Sequence, residues 1–160
     1  MATARKTPTP AHRRALLAAL ADDKGRVPAH TNTRVLDAIS LARWVTEVTN
    51  TGRAAASARW AGYDGPTFLS ISSRGRSALL TDAGNTALRN AGTDGRLPEG
   101  TPWPTAKALH RDGLAEFRDA NGTVHPTDGD DGVRGPLYAP YITELGRRLI
   151  TGFPQAQRAA

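Results

Sequence analysis

The feature that most constrains the fold of this chain is an internal repeat at a spacing of 70 residues. Gly25-Arg26-Val27-Pro28 returns as Gly95-Arg96-Leu97-Pro98, and the residues that follow keep matching without a gap, so that Gly52 falls on Gly122. A chain of 160 residues is long enough for one ordinary domain or two very small ones. The repeat therefore predicts two similar units fused in tandem.

A second pair of similar segments, 62 residues apart, indicates how the two units join. Leu80-Thr81-Asp82-Ala83-Gly84 is similar to Ile142-Thr143-Glu144-Leu145-Gly146. The helix expected near 82–91 therefore closes the first unit and opens the second. We expect an α+β fold, mainly α, in which two fused units share this central helix. The expected boundaries are a flexible arm over 1–10, unit 1 over 11–81, unit 2 over 82–152 and a C-terminal tail over 153–160.

Local patterns predict the elements of the first unit. Residues 11–22 place apolar side chains on one helical face, and a second amphipathic helix is expected over 34–42. β-branched and aromatic residues predict a strand over 44–49. Residues 53–62 are rich in alanine and fit either a short helix or a disordered loop.

Two hairpins are expected, one in each unit. Residues 68–80 predict a hairpin with a basic tip at Arg74-Gly75-Arg76. In the second unit, a strand over 114–120 leads into Asn121-Gly122, a dipeptide that strongly favours a hairpin turn. Residues 128–132, all Asp or Gly, predict a loop, which is followed by an edge strand interrupted by proline.

Positive charge is concentrated in the first half of the chain. Residues 1–80 contain 12 Lys or Arg against 5 Asp or Glu, whereas residues 81–160 contain 9 against 10. The excess of arginine over lysine is also typical of a GC-rich genome, but codon bias does not explain the difference between the halves. A basic surface without a Lys-rich amphipathic helix favours nucleic acid over a membrane as the partner.

Four short segments carry a family resemblance. TRVLDAISLARWVTEV at 33–48 and TAKALHRDGLAEF at 105–117 each look like a recognition helix running into a strand. LTDAG at 80–84 and ITELG at 142–146 look like the strand end and following helix of MarR-like regulators. In this order the segments resemble the winged helix-turn-helix family, twice over. In place of the family's short helix before the recognition helix, this chain has Gly and Pro residues that predict a turn.

The resemblance implies that a helix in unit 1 presents its N-terminal residues to base edges in the major groove of DNA. Asn32, Thr33 and Arg34 fit this role, and they also fit a simple helix cap followed by a solvated arginine. Basic residues of the hairpin are expected to hold phosphates, with Arg53 and Arg59 as a second option. The candidate DNA-binding residues are Thr31, Asn32, Thr33, Arg34, Arg53, Arg59, Arg74, Arg76, Thr105 and Lys107.

Motifs for catalysis and for metal binding are missing from the sequence. The chain has no cysteine, its four histidines show no metal-ligand spacing, and it contains no phosphate-binding glycine loop. We therefore expect no enzyme activity, no cofactor and no metal. The longest wholly apolar run has five residues and the N-terminus lacks a signal peptide, so a cytoplasmic protein without a membrane span is expected.

The leading hypothesis is a double-stranded DNA-binding protein, a site-specific transcriptional regulator built from tandem winged helices. Asp128, Asp130 and Asp131 would repel phosphates, so the second unit is expected to use only its helix or to serve in a homodimer or protein contact. Two alternatives remain open: a winged-helix module for protein interaction, and a nonspecific accessory factor for DNA.

Overall fold

The computed structural model describes residues 6–153, which form two compact units. The first comprises the described residues up to Leu79 together with Gly152 and Phe153, and the second comprises Leu80–Thr151. These residues contain seven helices and two small antiparallel sheets, so the α+β prediction is confirmed. No helix in this part of the chain is long and apolar enough to cross a bilayer.

Two helices open the first unit. Helix α1 (Pro10–Ala21) has proline at its first position and is capped by Thr9, whose hydroxyl accepts a backbone N–H of the first turn. Helix α2 (Thr33–Leu41) is capped by Asn32, whose Oδ1 accepts the backbone N–H of Arg34 at 2.9 Å. The side chains of α1 that enter the core are Ala15, Leu16, Ala19 and Leu20.

The predicted flexible arm is wrong for its last three residues. Pro8 is buried, Thr9 caps α1 and Pro10 is the first residue of that helix. The fixed φ of proline suits the first turn, where the missing N–H would have had no helical partner. Residues 1–5 of the arm and 154–160 of the predicted tail lie outside the described residues.

A two-stranded antiparallel sheet follows α2. Strand β1 (Val45–Thr49) pairs with β2 (Thr67–Ile71), and Val45 lies opposite Ile71 at one end of the pair. The strand predicted over 44–49 is therefore confirmed, apart from its first residue. The connection between the strands contains the short helix α3 (Ala55–Trp60), which is one of the two structures that the sequence left open.

The basic hairpin tip predicted at Arg74-Gly75-Arg76 is wrong, because this segment is helical. Helix α4 (Ser73–Ala78) begins directly after β2, and the Ser72 hydroxyl accepts the N–H of Gly75 at 3.0 Å. Gly75 is buried, and a Cβ atom there would overlap the carbonyl oxygen of Trp44. Ser72 is therefore the cap of α4. Gly75 is required because the helix lies close to the backbone of Trp44, and not because the chain turns there.

The second unit repeats this order, with a short strand in the place that α3 has in the first unit. Its sheet contains β3 (Ala115–Arg118), β4 (Val124–His125) and β5 (Ala139–Ile142), which are antiparallel in the order β4-β3-β5. The predicted turn at Asn121-Gly122 joins β3 to β4. Pro140 lies in β5, an edge strand, where its missing N–H costs no hydrogen bond between strands. The helices of this unit are α5 (Asp82–Arg89), α6 (Trp103–Arg111) and α7 (Glu144–Thr151).

Helix α5 is not shared between the units, contrary to expectation. It belongs to the second unit and contacts α6 and α7, whereas α4 closes the first unit against α1 and β2. By element order α7 corresponds to α4, so residues 142–146 match 71–75 rather than 80–84. The two buried glycines agree with this match, because Gly146 lies against the carbonyl of Leu114 as Gly75 lies against that of Trp44.

The segments before α2 and α6 are turns, as predicted. Residues 24–30 and 93–100 contain no helix. Instead, Arg26 forms an isolated antiparallel bridge with Ser70 in the first unit. In the second unit Arg96 forms the corresponding bridge with Tyr141, so each turn is attached to the last strand of its own sheet.

Candidate nucleic-acid interface

The N-terminal end of α2 presents polar side chains to solvent. Asn32, Thr33 and Arg34 are all exposed. Asn32 uses its Oδ1 as the helix cap, which leaves its amide N–H groups available. Arg34 forms no ion pair with any of residues 6–153. Thr31 differs from these three, because it is half-buried and its hydroxyl donates to the carbonyl of Pro28 at 2.7 Å.

The connection between β1 and β2 carries two of the predicted arginines. Arg53 is exposed and has no ion-pair partner within the described residues. Arg59 donates to both carboxylate oxygens of Glu47, at 2.6 and 3.2 Å. The hydroxyl of Thr67 and then Arg59 lower the pKa of Glu47 below its ordinary value, so this carboxylate remains charged beside the arginine. The positive charge of Arg59 is therefore partly compensated.

Arg26 is a further basic residue near the connection between β1 and β2, and the sequence analysis did not include it among the candidates. Its guanidinium lies 3.8 Å from the centre of the Phe68 ring, and its Nη2 donates to the carbonyl of Asn50 at 3.2 Å. It forms no ion pair among residues 6–153. Arg26 stands in the repeated segment Gly-Arg-Val-Pro, so the sequence drew attention to its position. Its contact with the Phe68 ring depends on the placement of β2 and could not be predicted from the repeat.

Arg74 and Arg76 lie at the other end of the β1–β2 pair from Arg53 and Arg59. The connection leaves the sheet at Thr49 and Thr67, whereas α4 follows the end where Val45 faces Ile71. Strands of this length separate the two ends by about 13 Å. Arg74 is exposed, while the guanidinium of Arg76 lies beside Gly152. The sheet therefore does not bring the four predicted phosphate-binding arginines together.

In the second unit the candidate residue Lys107 of α6 is engaged in an internal ion pair. Lys107 lies 3.5 Å from Asp128, and the indole N–H of Trp103 donates to the same carboxylate at 2.8 Å. The backbone N–H of Asp130, followed by Trp103 and Lys107, lowers the pKa of Asp128, so the carboxylate is ionised near neutral pH. Thr105 is half-buried. Trp103 is thus a packing residue, with its ring against Phe117 and its N–H bonded to Asp128.

The two units differ in sequence at the start of the second helix of each. Asn32, Thr33 and Arg34 correspond by the 70-residue shift to Pro102-Trp103-Pro104. Two prolines offer no side-chain hydrogen bond to a base, and the tryptophan N–H is already used. Residues 6–79 carry 11 Lys or Arg against 5 Asp or Glu, while residues 80–151 carry 8 against 10. Among the described residues, exposed polar side chains at the start of the second helix therefore occur together with a net positive charge in the first unit and not in residues 80–151.

In the acidic loop of the second unit, aspartate side chains accept hydrogen bonds from backbone N–H groups of the same loop. Asp131 accepts the N–H groups of Val133 and Arg134, each at 2.9 Å, and these bonds lower the pKa of Asp131. Asp130 accepts the N–H of Gly132 at 2.7 Å. Nowhere between residues 6 and 153 do three or more His, Asp or Glu side chains cluster as a metal site.

Comparison with known proteins finds no relative of this chain. No protein-family model, no curated protein and no solved structure matches the chain.

Proposed function

We propose that the chain binds double-stranded DNA through its first unit as a site-specific transcriptional regulator, in the manner of a winged helix. Helix α2 lies in the major groove in this proposal, with Asn32, Thr33 and Arg34 at base edges. The connection between β1 and β2 takes the part of the wing, with Arg53 against phosphates.

The observation that carries the proposal is the contrast between the starts of α2 and α6. Both helices occupy the same place in the element order of their units. At the start of α2 the Arg34 side chain is exposed and without an ion pair in the described chain, while the corresponding position in α6 is Pro104. An arginine at the N-terminal end of an exposed helix is suited to bidentate hydrogen bonds with guanine.

Net charge supports binding by the same unit. A duplex attracts the unit with an excess of Lys and Arg over Asp and Glu, and this excess lies in residues 6–79. In the second unit, Asp128 neutralises Lys107. The second unit is therefore assigned a role other than phosphate binding, as a contact to a second copy or to a protein partner.

The experiment is selection of duplexes from a random pool, followed by fluorescence anisotropy on the selected and scrambled sequences. Arg34→Ala should lower the preference for the selected duplex by about 1–3 kcal/mol, which is roughly fivefold to 160-fold. The matched control is Arg134→Ala, which removes the same charge from an exposed position in the second unit. This control should leave the preference unchanged.

The two alternatives give different results in the same experiment. A nonspecific accessory factor binds selected and scrambled duplexes equally, and its affinity still falls steeply with salt. A protein-interaction module retains no duplex from the pool at about 50 mM salt. Either outcome contradicts the proposed site-specific regulator.

A further inference from the structure

The connection between β1 and β2 carries a tryptophan that faces solvent. Trp60, the last residue of α3, is 95% exposed. Ala55 and Ala58 are buried on the other side of the helix, so α3 is packed down with Trp60 directed outward. Ala56 and Ser57, one turn earlier, are small and leave the ring open to contact. An exposed tryptophan of this kind is typical of a contact residue, because Trp is enriched at the energetic centres of protein interfaces.

Positive charge surrounds this ring in the sequence. Residues 50–66 contain two arginines, Arg53 and Arg59, against one aspartate. Arg53 is exposed and has no ion-pair partner within residues 6–153, whereas Arg59 shares its charge with Glu47. The connection therefore combines an exposed apolar ring with a basic environment.

The corresponding connection of the second unit has the opposite charge. It joins β3 to β5 and contains the acidic loop, residues 128–137, with three aspartates against one arginine. Asp130 and Asp131 are exposed in this loop. Two apolar side chains of the same loop also face solvent, since Val133 is 88% and Leu137 is 58% exposed. By element order, the two units thus carry apolar and charged surfaces of opposite sign at matching places.

Hydrogen bonds within the acidic loop hold its exposed apolar residues in position. The Asp131 carboxylate accepts the N–H groups of Val133 and Arg134, each at 2.9 Å. The N–H of Leu137 donates to the carbonyl of Asp128 at 2.8 Å. Little conformational entropy is therefore lost when a partner covers the loop.

We propose that two copies of the chain associate through these connections, with Trp60 of one copy packed on Val133 and Leu137 of the other. The arginines beside the ring then face the aspartates of the acidic loop. A second copy fits Trp60 better than a duplex does, because a ring enters a duplex only by unstacking its base pairs. The acidic loop instead offers exposed apolar side chains and complementary charge without such a cost.

This contact gives a position to the second-copy role that the proposed function assigns to the second unit, and it does not require DNA binding. It covers Arg53, which the proposed function places against phosphates. A second copy and a duplex therefore compete for this arginine, and only that competition rests on the proposed function. The experiment below contains no DNA, so the self-association and the proposed function can fail independently.

The test is sedimentation velocity of the full chain between about 5 and 500 µM. We expect reversible self-association with a Kd of about 10–100 µM at about 50 mM salt, since small interfaces bind weakly. Trp60→Ser and Val133→Ser should each weaken it by about tenfold or more. Leu41→Ser is the matched control, because it removes another exposed side chain, 79% exposed, from the first unit and should change nothing. Substitutions of exposed side chains leave the fold intact.

Mixing the two variants tests which side chains meet. Trp60→Ser retains an intact acidic loop, and Val133→Ser retains an intact tryptophan. An equimolar mixture should therefore associate more strongly than either variant alone, because one complete contact forms between unlike chains. A contact between two copies of Trp60 predicts instead that Val133→Ser alone associates like the parent chain.

Salt tests the contribution of charge. Raising the salt from about 50 to 500 mM should weaken the self-association several-fold, because the arginines and aspartates are screened. Three results would overturn the proposal: a parent chain that stays monomeric up to about 500 µM, a Val133→Ser variant that associates like the parent, or a mixture no more associated than its components. A monomeric parent whose tryptophan emission is quenched by a duplex, with no quenching in Trp60→Ser, would assign the ring to nucleic acid.

Discussion

Gly75 packs directly against the main-chain carbonyl of Trp44, with no room for a side chain between them. The Ser72 N–H donates to the same carbonyl at 2.9 Å, so the start of α4 is fixed to the residue before β1. Gly146 and Leu114 repeat this arrangement in the second unit, where the Thr143 N–H donates to the Leu114 carbonyl at 3.1 Å. A close contact between a helix and the start of a strand thus closes each unit.

Replacing Gly75 with alanine should destabilise the first unit. The added methyl group would overlap a backbone oxygen that cannot rotate away, so α4 must move, at a cost of about 1–3 kcal/mol. Urea denaturation measures the loss. Gly100→Ala is the control, because a Cβ there meets nothing within 4 Å and its φ is not left-handed. Equal midpoints for the two variants would contradict the packing described.

Asp128 should make the second unit sensitive to acid. Folding lowers its pKa, chiefly through the backbone N–H of Asp130, so the unfolded chain takes up a proton more readily than the folded one. The stabilisation is complete above the unfolded pKa of about 3.9 and is lost as the pH falls through the lower folded value. Asp128→Asn should therefore show a weaker decline of the unfolding free energy below about pH 4.

Urea denaturation of Asp128→Asn and the parent chain between pH 7 and about 2.5 tests this expectation. Glu99→Gln is the control, because it removes an exposed carboxylate from the same unit. Parallel curves for Asp128→Asn and the parent chain would show that this carboxylate does not couple folding to pH.

The sequence predicted local elements well and tertiary contacts poorly. The helix caps and the Asn121-Gly122 turn act over a few residues, so the helices and strands they predict were mostly found. Around Gly75 the sequence suggested a turn, because glycine permits turns and close approaches alike and only the position of Trp44 decides between them. The backbone at Arg43 was also not predictable from residue type, because this arginine adopts a left-handed φ of 59° at the position where the second unit has Gly113.

In the candidate site, too, local properties could be predicted from the sequence and contacts between distant residues could not. Exposure of Asn32, Thr33 and Arg34 follows from the amphipathic pattern of α2 and could be predicted. The pairing of Arg59 with Glu47 joins residues on α3 and β1 that only the folded sheet brings together. The second unit's Lys107 likewise meets Asp128 across 21 positions of the chain. Charge counts alone could not indicate which basic groups are compensated.

Arg53 and Arg74 should contribute unequally to DNA binding. Under the proposed function, Arg53→Ala removes a charge from the connection between β1 and β2 and weakens binding to all duplexes, with the salt slope falling by about one phosphate contact. Arg74 lies on α4, at the opposite end of the strand pair, so Arg74→Ala should have the smaller effect. Anisotropy titrations between about 50 and 200 mM salt compare the two, and a larger loss for Arg74→Ala would place the interface on α4.

Glu47→Gln should tighten DNA binding although it removes an ion pair. Arg59 shares its charge with Glu47 in the free protein, and neutralising the carboxylate makes that charge available to a phosphate. Affinity at about 50 mM salt should rise several-fold, and the salt slope should steepen by about one phosphate contact. Glu116→Gln is the matched control, since Glu116 pairs with Arg118 in the second unit. If both variants tighten binding equally, net charge explains the effect and the connection between β1 and β2 is not at the interface.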